Sequence, residues 1–103
     1  MIIYNVTVQI EHSKHKEWLQ WLKADQIPAM METMMFLSHR LCRLLGQDET
    51  VGPTYAVQYF CNSIDNYNRY VEEHSAAMKK LQADRFGNHY IAFHTLLEVL
   101  PLD

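Results

Sequence analysis

MIIYNVTVQI, residues 1–10, alternates: Ile2, Tyr4, Val6, Val8 and Ile10 are apolar, and Asn5, Thr7 and Gln9 between them are polar. Period two marks a strand with one face in a core. The polar row on its other face must look at water, at a second subunit or at a ligand.

Three more stretches read as strands. Phe36–Gly46 (FLSHRLCRLLG) carries apolar residues on both faces, so its facing stays open: Leu37, His39, Leu41, Arg43 and Leu45 share one side, Phe36, Ser38, Arg40, Cys42 and Leu44 the other. The acidic turn after it holds Asp48, Glu49, Gly52 and Pro53, with Asp48–Glu49 expected in solvent. Thr54–Asn62 (TYAVQYFCN) places Tyr55, Val57, Tyr59 and Cys61 on one face and Ala56, Gln58 and Phe60 on the other. His89–Leu100 (HYIAFHTLLEVL) divides into Ile91, Phe93, Thr95, Leu97 and Val99 against Tyr90, Ala92, His94, Leu96 and Glu98.

Two helical connections join these strands. The first has Ser13 as its expected N-cap and a stripe of Trp18, Leu19, Trp21 and Leu22. Pro28 is expected to break or kink it and to push Ile27 out of the α region, leaving a short second piece with Met30, Met31, Met34 and Met35 packed around the kink. The second helix starts at Ser63 and carries Tyr67, Tyr70, Val71, His74, Met78 and Leu81 on one stripe, with Gly87 as its stop.

The order βαββαβ is the split-βαβ, ferredoxin-like unit. Right-handed crossovers put both helices on one face of an antiparallel sheet with strand order 4-1-3-2. The second face is too apolar to stay wet and too polar to be a plain core, so a sheet-to-sheet homodimer enclosing a cavity is expected. A chain of 103 residues fits one domain over residues 1–103 and buries only about two-thirds of its unfolded surface, which a partner subunit would improve.

Composition narrows the function. Net charge is −3 with no basic cluster, which argues against nucleic acid. No apolar run is long enough for a membrane span, and no signal-peptide pattern opens the chain, so a cytoplasmic protein is expected. Cys42 and Cys61 read as reduced thiols. Three glycines cannot build a phosphate cradle, and no hydrolase or zinc-protease motif occurs.

The strings MIIYNVTV, TYAVQYFC, YxxYxxxH, RFG and AFxTLLEVL together resemble a bacterial family known only as a domain of unknown function, DUF4286. The resemblance runs nearly end to end and implies a dimeric α/β-barrel, ferredoxin-like fold without an assigned activity. The wider dimeric α/β-barrel superfamily, which the chain also resembles, includes antibiotic-biosynthesis monooxygenases and haem-degrading enzymes. By that likeness Asn5 matches the haem degraders' first-strand Asn. Tyr70 stands about where they have a Trp, and His74 is not at the position of their ligand His. Haem enters only through this likeness, and no other cofactor is implied.

Candidate site residues follow from facing. His94 and Glu98 are expected on the open sheet face beside Asn5, Thr7 and Gln58, a set able to bind a small polar ligand or move a proton. Arg40 joins them if the second strand turns that way; otherwise His39 and Arg43 do. Tyr70 and His74 are the helix-side candidates, with His74 needing a partner on its apolar stripe. His12 and His15, three apart, lack a third metal ligand, and His89 reads as a surface residue. Tyr55, Tyr59 and Tyr67 read as core. Three functions remain open: a homodimer binding a small ligand between sheet and helices, a cofactor-independent monooxygenase or haem-handling enzyme, and a structural or regulatory dimer without ligand.

Overall fold

A computed structural model describes residues 1–102. Four strands, β1 (Ile2–Ile10), β2 (Ser38–Arg43), β3 (Thr54–Cys61) and β4 (Tyr90–Glu98), form one antiparallel sheet in the order β2-β3-β1-β4. This is the expected order, with β1 and β3 central. β2 is shorter than its apolar run suggests: Phe36 turns into the core instead of extending the ladder.

The first connection is one continuous helical path. A 3-10 turn (His12–Lys14) leads into α1 (His15–Trp21), a π turn (Leu22–Gln26) and α2 (Ile27–Glu32). Two expectations are corrected here. Ser13 lies inside the 3-10 turn and caps nothing. Pro28 does not break the path, and Ile27 before it keeps helical angles (φ −61°, ψ −46°). The π turn widens the helix just ahead of Pro28, relieving the contact between its ring and the preceding carbonyls. The path stops at Met34, whose φ of +64° reverses the chain.

The second connection is bent. Ser63 caps α3 (Ile64–Glu73), its Oγ accepting from the Asn66 N–H at 3.2 Å. The helix bends at His74 (φ −131°, ψ −28°) and resumes as α4 (Ser75–Phe86), which ends on Gly87 at φ +56°. The hydrogen-bond ladder bridges the bend: His74 N–H donates to Tyr70 O at 2.8 Å, and Met78 N–H to His74 O at 3.0 Å. The bend lets α3 lie over β1 and β3 while α4 meets the π turn.

The core fills the space between this helical layer and one sheet face. Ile2, Tyr4, Val8 and Ile10 of β1 meet Trp18, Trp21, Met30, Tyr59, Tyr70 and Phe86. Gly52 makes a close approach to β1: a Cβ there would sit 1.8 Å from the Ile10 carbonyl oxygen, so only glycine fits.

Register settles the facing of β4 and corrects the sequence reading. His94 pairs with Val6, Leu96 with Tyr4, Glu98 with Ile2 and Tyr90 with Ile10. Directly opposed residues share a face, so these four belong to the helix side. The open face instead takes Ile91, Phe93, Thr95 and Leu97 from β4, beside Gln9, Thr7, Asn5 and Ile3. Alternation could not choose between the faces because β4 is apolar on both. Arg40 pairs with Gln58 and so occupies the open face, while His39 and Arg43 oppose Tyr59 and Tyr55 on the helix side.

Candidate functional site

The expected site residues fall into two groups on opposite faces of the sheet. Asn5, Thr7 and Gln58 are on the open face. Asn5 and Thr7 are buried, and the Asn5 amide donates to Thr7 Oγ1 at 3.0 Å. Arg40 donates to Gln58 Oε1 from Nη2 at 2.7 Å and from Nε at 3.2 Å, and its guanidinium lies 5.5 Å from the Phe60 ring centre. A shallow depression of about 260 Å³ near Thr7, Gln9 and Thr54 is bounded by Ile91 and Phe93.

Tyr70 and His94 are on the other side, in the wall of a cleft of about 290 Å³ between sheet and helices. Its floor is Tyr4, Val6 and Val8 of β1 with Val57 and Tyr59 of β3. Trp18, Leu22, Gln26 and Met30 close it from the first helical path, and Met78, Lys79, Gln82 and Ala83 from α4. Tyr90, Ala92 and His94 form the β4 side. Native cores hold few voids larger than a water molecule, so a space of this size is a built feature of the fold.

Three phenols are buried against this space. Burial pushes the Tyr4 hydroxyl far above its ordinary range, and the neighbouring Tyr70 and Tyr67 push it further. Burial does the same to Tyr59, with Tyr4 adding to it, and to Tyr70, with Tyr59 adding to it. All three keep their protons at neutral pH. The Tyr70 hydroxyl is 3.3 Å from Met30 Sδ.

His94 sits at the cleft mouth, stacked on Tyr4 with 5.4 Å between ring centres, and its Nδ1 is 2.5 Å from the Tyr4 hydroxyl oxygen. Burial lowers the His94 pKa, and the Lys79 charge lowers it further, so the imidazole is neutral at pH 7. Tyr4 and His94 share one hydrogen bond, in which the neutral imidazole accepts from the phenol at Nδ1 in its Nε2–H tautomer and donates from Nδ1 in the other. Gln26, in the π turn, donates from Nε2 to Met78 O at 3.4 Å, while its buried Oε1 has no hydrogen-bond partner among the described residues.

Two expected site residues stand apart from the cleft. His74 is at the helix bend, half-buried and stacked on Tyr70 at 6.4 Å, with Nε2 3.7 Å from a Glu73 carboxylate oxygen. Glu98 is exposed at the end of β4, opposite Ile2. Three of the four remaining histidines are tied to neighbours outside the cleft. His12 bonds the Glu49 carbonyl, His15 the Tyr55 hydroxyl and His89 the Glu11 carboxylate, at 2.8, 2.6 and 2.5 Å. Among the described residues no group of His, Cys, Asp and Glu is arranged to hold a metal ion.

Sequence reasoning missed Tyr4, Gln26, Gln82 and Lys79. Tyr4 was visible as the one hydroxyl-bearing residue in the apolar row of residues 1–10. The others look like ordinary helix-surface residues until the helices are placed against the sheet.

Sheet order, helix placement and register define a ferredoxin-like α+β protein. The chain belongs to the family described as "Domain of unknown function (DUF4286)", whose profile matches residues 1–100. No curated protein sequence matches it. Among solved structures it is similar to a dimeric ferredoxin-like protein from an uncultured marine organism (TM-score 0.72, 6% identity, covering 99% of this chain and 97% of that one). It is also similar to a mutant of SnoaB, a cofactor-independent oxygenase from Streptomyces nogalater (0.68, 15%, 98% and 95%). A third is a mutant of MhuD with two manganese protoporphyrin IX bound per active site (0.68, 17%, 100% and 97%). At these identities the likeness is one of fold.

Proposed function

We propose that this chain is a single-domain, homodimeric protein that binds a small molecule in the cleft between sheet and helices. The observation that carries the binding is the cleft of about 290 Å³, walled by aromatic and aliphatic side chains with a few converging polar groups. A space of about 290 Å³ holds several water molecules, which suits a small-molecule ligand better than a single trapped water. Of the two helix-side histidine candidates only His94 lines the cleft, and His74 lies outside it. Titration of the purified protein with small aromatic compounds, followed by the fluorescence of Trp18 in the cleft wall, tests the binding; no saturable change with any compound would refute it.

The open sheet face supports the dimer, with a second copy as its occupant. Phe93 and Ile91 are 58% and 69% exposed on it, beside the buried polar pair Asn5 and Thr7. Four strands at about 4.8 Å spacing, of six to nine residues and so about 20–30 Å long, give a footprint on the order of 500 Å². The accessible area of a corrugated face exceeds its footprint and approaches the ~800 Å² per partner of a stable interface. Arg40 and Gln58, already paired within one subunit, can turn toward their counterparts across a two-fold axis. Phe93→Asp sets a charge in this face and converts the dimer to a monomer in sedimentation experiments. A monomeric wild-type protein, or a dimeric Phe93→Asp variant, would count against this interface.

A further inference from the structure

We propose that the ligand of the cleft carries a single acidic group, a carboxylate or phenolate, held at the mouth between Lys79 and His94, with its apolar or aromatic body inside. This rests on the cleft being a ligand site and adds the chemical class of what it takes.

The lining supplies the argument. Lys79 is the one permanently charged group in it, and no Asp or Glu lines the cleft. On α3 and α4 the other cations are matched, Lys80 with Asp84 at 2.6 Å, Arg85 with Glu17 at 3.6 Å and Arg69 with Glu73 at 3.8 Å, whereas Lys14, Lys16 and Lys23 of the first helical path stand away from the cleft without an ion pair among the described residues. Lys79 has no such partner among the described residues, although the chain as a whole carries a net charge of −3. An exposed cation without a carboxylate partner, at the rim of an apolar cavity, is complementary to an anionic head group on an apolar body.

The neutral groups at the mouth have the same polarity. In the tautomer whose Nδ1 accepts from Tyr4, the His94 Nε2–H is left to donate, and an anion at the mouth would select that tautomer. Gln82 Oε1 accepts from the Trp18 indole N–H at 2.9 Å, which leaves the Gln82 amide hydrogens to donate. Lys79, His94 and Gln82 therefore present hydrogen-bond donors together, and hydrogen bonds from such groups to an anion are stronger than to a neutral acceptor. Inside, Trp18, Tyr59 and Tyr70 offer aromatic faces, and Val6, Val57 and Met78 an apolar surface, for the body of the molecule.

Benzoate and benzamide test the proposal, since they share size and shape and differ in charge. Binding to the full-length protein is followed at pH 7 by the shift of the Trp18 indole N–H resonance. The expected result is benzoate binding at least fivefold more tightly than benzamide. That preference should be lost in Lys79→Gln and retained in Lys80→Gln, whose lysine lies outside the cleft. Equal binding of the two compounds with a Trp18 shift for both would refute the acidic ligand and leave the cleft standing as a ligand site. A benzoate preference that survives in Lys79→Gln would also refute it. No Trp18 shift with either compound would overturn both readings.

Discussion

Replacing Ala92 by Ile asks whether the space between sheet and helices is a true vacancy in the packing. Ala92 is half-buried on the helix face of β4, opposite Val8, and lines the cleft. Ile adds three carbons, worth at most about 2.4 kcal/mol at ~0.8 kcal/mol per buried CH₂. An unfolded chain that already buries part of its apolar surface reduces this by roughly 10–40%, and the partial exposure of the position reduces it again. The expected gain is about 1–2 kcal/mol, helped by the preference of β-branched side chains for strands. A close-packed site would give the opposite sign, a loss of about 1–3 kcal/mol from overpacking. For a chain near 100 residues each kcal/mol moves Tm by about 4–8 °C. Urea unfolding of both proteins at one fixed concentration, to hold the dimer contribution constant, reads the difference. A higher midpoint with unchanged slope, together with weakened binding of small aromatics, is the expected outcome. A lower midpoint would mean that the cleft walls already touch and that the ligand reading has no space to rest on.

Gly52→Ala places a Cβ 1.8 Å from the Ile10 carbonyl oxygen, so the turn before β3 must move away from β1; a loss of more than ~2 kcal/mol in urea unfolding is expected, and a loss under 0.5 kcal/mol would refute the close approach. His94 should titrate below the ordinary histidine range in NMR. Because the folded state resists its protonation, stability is fully present above the unfolded histidine pKa of about 6.5 and falls as pH drops through the lowered folded value. His15, also lowered by its surroundings, acts in the same direction. His94→Gln should therefore lose less stability than the wild type between pH 7.5 and pH 5, and equal losses would place the acid sensitivity elsewhere.

The fold was largely legible because its periods were clean. Residues 1–10 and 54–61 alternate with one apolar face, and the stripe from Tyr67 to Leu81 has helical spacing, so the order βαββαβ and the sheet order follow from pattern and handedness, although the single helix expected there is divided at His74 and Val71 and Leu81 of its stripe are exposed. Ser63 and Gly87 kept their roles as cap and stop because each works through its own backbone or side chain. Ser13 and Pro28 were misread because a local rule met a non-local answer: the 3-10 turn took up Ser13, and a π turn accommodated the proline. The candidate site was legible only in part. His94 carries the same period-two position on either reading of β4, and only its pairing with Val6 shows that it faces the helices. Lys79 is indistinguishable from Lys80 in sequence; the angle of α4 over the sheet brings one to the cleft and leaves the other in solvent with Asp84.

The most direct test of the account is a ¹H–¹⁵N spectrum of the protein titrated with phenol, a small neutral aromatic that the cleft should accept whatever head group its natural ligand carries. Saturable shifts are predicted at the Trp18 indole N–H and at the amides of Tyr70, Gln82, Ala92 and His94, with the side-chain amides of Asn5 and Gln58 on the opposite face unmoved. Shifts confined to the open sheet face, or none at Trp18, would contradict it.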